Sequence, residues 1–188
     1  MSIIGSASDS LGVLRRQDSV LLVIDVQERL LPAAANKETL INNIVRLLRF
    51  ARIINLPVVL TEQDRLGATV PEIKNELPDV PPIVKVTFDA FGCDPFVKHL
   101  ESLGKKTLIL TGLETHICIS QTALHAASRF RVHVVSDAVT SRTLENWRVG
   151  LDRMRQAGVV VSSTEMAIYE LLGRAGTDEF RATLKLVK

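Results

Sequence analysis

Aromatic side chains are scarce in this sequence. One Trp, one Tyr and six Phe among 188 residues are too few for the stacking platform on which single-stranded nucleic acid is bound. Charge of one sign is missing as well: 23 Lys and Arg stand against 21 Asp and Glu, for a net charge of +2. No basic run is long enough to offset that balance, so neither a phosphate backbone nor an anionic lipid surface meets a complementary field. The sequence has no uninterrupted apolar run of the roughly 18 residues that a membrane-spanning helix needs. Its two cysteines, Cys93 and Cys118, cannot form a disulfide framework and suit separate roles in a reducing compartment. Residues 1–19, "MSIIGSASDSLGVLRRQDS", lack the basic start and apolar stretch of a signal peptide. Asp9 and Asp18 weigh against a transit peptide, although Arg15 and Arg16 follow serines. The expectation is a mobile N-terminal tail, 1–19, followed by one domain, 20–188, in a cytoplasmic protein.

What is present is alternation. Short runs rich in Val, Ile and Leu occur at 20–24, 56–61, 83–86, 106–111, 131–136 and 158–162, each reading as a strand buried on both faces. Helical periodicity fills 37–54, 94–103, 117–129, 144–157 and 164–173. Strand and helix taken in turn predict a parallel sheet with helices on both faces, a three-layer α/β/α domain. A hydrophobic content of 46% suffices for one sizeable core at this length. The segment 62–82 is longer than an ordinary connection, and loops of that length tend to be functional.

In open α/β sheets ligands bind beyond the carboxyl ends of the strands, where the strand order reverses. Polar residues at strand ends therefore invite a functional reading. Asp25 closes "LLVID", Lys85 interrupts "IVKV", and Cys118 follows the turn after "LILTG". Each has a structural alternative: a turn-forming Asp, an edge-strand Lys that discourages pairing, a small core-filling Cys. Their chemistry is complementary. Unpaired N–H groups in a first helical turn, and a nearby ammonium from Lys85, would favour the thiolate of Cys118. Asp25 would take the thiol proton and return it to a leaving group, and backbone N–H groups at the turn would hold an oxyanion. The set describes a cysteine hydrolase without a catalytic histidine.

"VIDVQERL" at 23–30, "KVTFDAFG" at 85–92 and "TGLETHICISQTALHA" at 111–126 resemble the isochorismatase-like cysteine hydrolases, and 136–166 is similar to the isochorismatase-domain branch of that superfamily. The resemblance spans residues 20–172. It implies a six-stranded parallel sheet in the order 3-2-1-4-5-6, an Asp–Lys–Cys triad at Asp25, Lys85 and Cys118, and a cis peptide between Leu113 and Glu114. It also implies an oxyanion hole built from the N–H groups of Glu114 and Cys118, and homo-oligomeric assembly. Nicotinamidases in this superfamily carry a metal site after strand two. This chain has "TEQDRLGA" there, with its histidines at 99, 116, 125 and 133, so neither metal nor cofactor is expected. Because Cys118 is retained, cleavage of a small amide or related acyl C–N bond through a thioester is the expected reaction.

Gln27, Gln63, Phe88, Phe91 and His116 are expected to line the substrate pocket, with Phe88 and Phe91 having core packing as the alternative. Cys93 precedes Asp94 and Pro95, the signature of a helix start, and is expected to have no chemical role. Trp147 and Arg148 suit a packing or subunit surface. Two other classes stay open. In a redox-responsive thiol protein Cys118 is oxidised and Cys93 resolves it; the other class is a non-catalytic oligomeric scaffold.

Overall fold

The computed structural model describes residues 12–187. Six strands, β1 (Ser19–Ile24), β2 (Val58–Gln63), β3 (Ile83–Lys85), β4 (Thr107–Leu113), β5 (Arg131–Thr140) and β6 (Val160–Ser162), form one sheet in the order β3-β2-β1-β4-β5-β6. Every adjacent pair runs parallel. Parallel neighbours need long crossovers, and helices supply them: α1 (Lys37–Ile54), α2 (Pro71–Lys74), α3 (Asp94–Ser102), α4 (Ser120–Ala126), α5 (Leu144–Gln156) and α6 (Thr164–Leu172), with α7 (Asp178–Val187) last.

Every residue of β1 and β4 is buried, as central strands covered on both faces must be. Successive side chains point to opposite faces. Leu21 and Val23 meet Leu40, Ile44 and Leu47 of α1 and Ile168 of α6. Val20, Leu22 and Ile24 meet Phe96 of α3, Ala123 of α4 and Leu151 and Met154 of α5. Helix ends follow local chemistry. The Thr143 hydroxyl accepts the Asn146 N–H at 3.2 Å to start α5, the Ser163 hydroxyl accepts that of Met166 at 3.3 Å to start α6, and Gly173 at φ 69° ends α6. No described helix is long and apolar enough to cross a membrane.

The structure departs from the expected elements in several places. Of the proposed tail, residues 1–11 lie outside the described residues, and the rest is docked rather than mobile. Leu14 is in the core, its N–H donates to Glu170 Oε2 at 2.9 Å, Arg16 pairs with Glu179 at 2.9 Å, and Ser19 already belongs to β1. Within the long segment 62–82, β2 takes the first two residues and α2 a short turn. Glu62 Oε1 accepts both the N–H and the hydroxyl of Thr69 at 2.7 Å, which folds the remainder back on the strand. The helix expected at 117–129 opens as a π turn, Thr115–Ile119, before α4 begins. Neither α2 nor α7 is expected from periodicity, α2 because it is one turn long and α7 because Thr183 is its buried residue.

Strand order reverses between β1 and β4. Asp25, just past β1, and the turn after β4 are thereby neighbours at the carboxyl edge of the sheet.

Candidate active site

Asp25 turns the chain out of β1 at φ 55°, a left-handed conformation that Asp tolerates better than most residues. Its N–H donates to Thr61 O at 3.2 Å. Its carboxylate is fully buried and held at both oxygens: the Thr61 hydroxyl donates to Oδ1 and the Lys85 ammonium to Oδ2, each at 2.7 Å. Lys85, the last residue of β3, reaches across the end of β2. It also donates to Gln63 Oε1 at 2.8 Å and to the Thr87 and Phe88 carbonyls at 3.2 and 3.4 Å. A buried ammonium with a carboxylate and three neutral acceptors is fully satisfied, the condition under which a buried charge is tolerated.

The other half of the site depends on Gly112, whose φ is 116°. A Cβ there would lie 2.0 Å from Ile24 O, so only glycine lets β4 pass this close to β1. The Leu113–Glu114 peptide that follows is cis. The chain then enters the π turn, where the N–H groups of Ile117 and Ile119 both donate to Glu114 O, at 3.0 and 3.2 Å. Cys118 sits in that turn, almost wholly buried. Asp25, Lys85 and the Glu114 peptide all lie near enough to act on its proton.

Burial pushes the Cys118 thiol up to about 12, with the Asp25 charge adding to the rise and the Lys85 charge opposing it. Its hydrogen bond to Asp25 also raises the value, and the Glu114 N–H lowers it. The expected thiolate is therefore corrected. Cys118 lies in a π turn rather than the first turn of a regular helix, and Asp25 is closer in effect than the ammonium behind it. Burial and the neighbouring Asp25 charge both favour the neutral thiol at rest.

Around these three residues the expected pocket members divide. Gln63 holds Lys85 and donates its own amide N–H to Val86 O at 2.8 Å. Phe88 is exposed beside the site. His116 is partly exposed and shares a hydrogen bond between Nδ1 and the Ser141 hydroxyl at 3.0 Å. Gln27 is fully buried; it accepts the Gln63 N–H at 2.8 Å and donates to Gln63 O and Gly67 O at 3.0 and 2.7 Å. With its amide spent on backbone, it ties the loop to β2 instead of facing a ligand. Phe91 belongs to the core, edge-on to Phe96 at 5.4 Å and stacked on His125 at 4.7 Å. Cys93 is half-buried and donates weakly to Val84 O at 3.6 Å. Trp147 donates to Ser136 O at 3.0 Å, beside a cavity of about 380 Å³ that includes none of Asp25, Lys85 or Cys118.

Three contributors escape a sequence reading. Thr61 had a signal, being polar at the end of a buried strand like Asp25. Ser141 and Arg142 had none, because β5 runs four residues past its expected end to deliver them. Arg142 Nε stands 2.9 Å from Glu114 Oε1. Among the described residues no cluster of His, Cys, Asp and Glu could hold a metal ion.

Residues 19–166 match the isochorismatase domain. A secreted isochorismatase effector, Isc1, of Phytophthora sojae is 40% identical over all of this chain and 93% of its own. Among solved structures, one described as MAR1 ribonuclease from Caenorhabditis elegans superposes with a TM-score of 0.87 at 32% identity, covering 93% of this chain and 92% of that one. YcaC from Pseudomonas aeruginosa, described with hexane-2,5-diol and covalent acrylamide, gives 0.86 at 30% identity, covering 93% and 91%. The Escherichia coli YcaC product, described as an octameric hydrolase of unknown specificity, gives 0.83 at 30%, covering 93% and 87%.

Proposed function

The chain belongs to the isochorismatase family, and from that premise we propose that it is a cysteine hydrolase acting on small amides or related acyl C–N compounds, with Cys118 as nucleophile and Asp25 as base. The observation that carries the reading is the buried Asp25 carboxylate, held by the Lys85 ammonium at 2.7 Å and near enough to the Cys118 thiol to bear on its proton. A neutral thiol is a poor nucleophile, and a base beside it is the remedy.

The thiol proton passes to Asp25 as Sγ bonds to the carbonyl carbon, and the C=O pair becomes an oxyanion facing the Glu114 and Cys118 N–H groups. Asp25 gives that proton to the nitrogen; the C–N bond breaks, the amine leaves and a thioester remains. Water then yields a proton to Asp25 and adds to the thioester carbon. Collapse expels the sulfur, which regains the proton, and the acid departs. Lys85 lies too deep to meet substrate; it is the counter-charge for a buried carboxylate that changes protonation twice per cycle. Gln63, Phe88 and His116 are the residues placed to border the substrate. The covalent acrylamide of the Pseudomonas relative supports a nucleophile that a small molecule can reach.

A panel of small amides and carbamoyl compounds tests the reading. Turnover of any member by the wild type, lost in Cys118→Ser, supports it; inactivity across the panel together with cleavage of a defined RNA would replace it. The name of the nematode relative makes RNA the proper competitor. The octameric relative favours homo-oligomeric assembly, for which sedimentation should give a mass several times the 20.7 kDa of one chain. The working location that suits two free thiols is the cytoplasm, which cell fractionation would check.

A further inference from the structure

We propose that Arg142 is a positioning residue for the oxyanion turn, acting through the side chain of Glu114. The inference rests on the hydrolase reading above. Glu114 has two attachments. Its backbone carbonyl accepts the N–H groups of Ile117 and Ile119, on either side of Cys118, at 3.0 and 3.2 Å, while its carboxylate, 6% exposed, meets Arg142 Nε at 2.9 Å. A carboxylate so far from water is costly unless it is paired. His116 Nε2 stands 3.8 Å from the other oxygen and contributes a charge only when protonated.

The anchor for this strut is fixed to the body of the domain. The Ala35 N–H donates to Ser141 O at 2.9 Å, the Thr140 hydroxyl donates to Ala35 O at 2.8 Å, and Ser141 shares its hydroxyl with His116 at 3.0 Å. Glu114, which leads into the turn, and His116 within it are thus tied to two consecutive residues after β5, Arg142 and Ser141. Arg142 itself is more than half exposed, so replacing it empties no core. What it leaves is a buried carboxylate without its cation. That carboxylate turns toward water, and turning moves the peptide whose carbonyl holds the N–H groups on either side of Cys118.

The test compares two reagents on Cys118 by mass spectrometry. Acrylamide adds by forming an Sγ–C bond at its β-carbon, while the C=C pair shifts onto the carbonyl oxygen. Asp25 passes the thiol proton on to the α-carbon. Iodoacetamide is displaced at a saturated carbon, with iodide leaving and no oxyanion formed. The ratio of the two rates therefore reads the oxyanion donors and needs no known substrate. Arg142→Met should lower that ratio about tenfold or more, less than the roughly 10²–10³ for removing an oxyanion donor because the donor is displaced and not deleted, with a lowered Tm but a retained fold. Arg142→Lys should restore part of it. Glu114→Gln with Arg142→Met should restore most, because an uncharged side chain needs no cation. An unchanged ratio in Arg142→Met overturns the proposal, and so does a double variant as slow as Arg142→Met, since Arg142 would then act on the reagent directly. If wild-type Cys118 adds acrylamide no faster than Cys93 in the same chain, the hydrolase reading falls first and this proposal with it.

Discussion

Cys118 is set by opposing influences whose order matters. Burial and Asp25 hold its proton in place, and the Lys85 charge loses to them. The consequence is an unusual split on replacing Asp25. Asp25→Asn removes a charge that keeps the thiol neutral, so alkylation of Cys118 near pH 8 should become faster. Hydrolysis should fall by about two or more orders of magnitude, the usual scale for a lost general base. Iodoacetamide kinetics and turnover on one substrate check both halves, and a fall or rise of the two together would contradict the assignment. Cys93→Ser should leave both unchanged, whereas a two-cysteine redox protein would lose its response. The folded thiol also titrates above its ordinary value of 9.0, at about 12. The stability it lends is therefore complete below pH 9 and is lost as pH climbs from 9 toward 12. Cys118→Ser should remove that part of the alkaline decline in thermal scans.

Two strand positions carry comparable consequences for the elements. Gly112→Ala would force a Cβ to 2.0 Å from Ile24 O, separating β4 from β1 just where Asp25 and Cys118 must meet. Urea denaturation should show a loss of about 2–3 kcal/mol or more, the range for a strained backbone position. His133 of β5 is buried, its Nδ1 is without a partner, and burial with the neighbouring Arg131 charge lowers it from 6.5 to about 4. A depressed base gives stability that is present above pH 6.5 and lost as pH falls toward 4. On the order of 3 kcal/mol is at stake, and His133→Leu should flatten the decline in Tm across that window. Such details show how far a sequence can be read. Apolar runs announced the six strands, but burial on both faces, expected of all six, holds throughout only for β1 and β4; the edge strands β3 and β6 are partly exposed, Val84 among them. Their order came from family resemblance, since periodicity says nothing about neighbours. Asp25, Lys85 and Cys118 stood out as polar or reactive residues among apolar runs. Phe91 takes the core packing that was its alternative, and Gln27 spends its amide on backbone, because a side chain near a strand end does not disclose which way it points.

At the scale of the molecule, one six-stranded sheet brings Asp25 and the turn that holds Cys118 together at the seam between β1 and β4, where the proposed chemistry lies. Residues 12–18, expected to be mobile, instead close the core against α6 and α7, an outcome invisible in a segment with so few apolar side chains. The donor set around Cys118 offers no metal cluster among the described residues, so extensive chelation should leave turnover and Tm unchanged; loss of both with a released stoichiometric metal would require a different mechanism. Rapid acid quench of the enzyme during turnover of a small amide, followed by intact-mass and peptide analysis, bears most directly on the central claim. The account predicts an acyl group on the peptide containing Cys118 in the wild type, its absence in Cys118→Ser, and its accumulation when water attack is slowed. Continued turnover by Cys118→Ser, with no acyl group on any peptide of either protein, would contradict it.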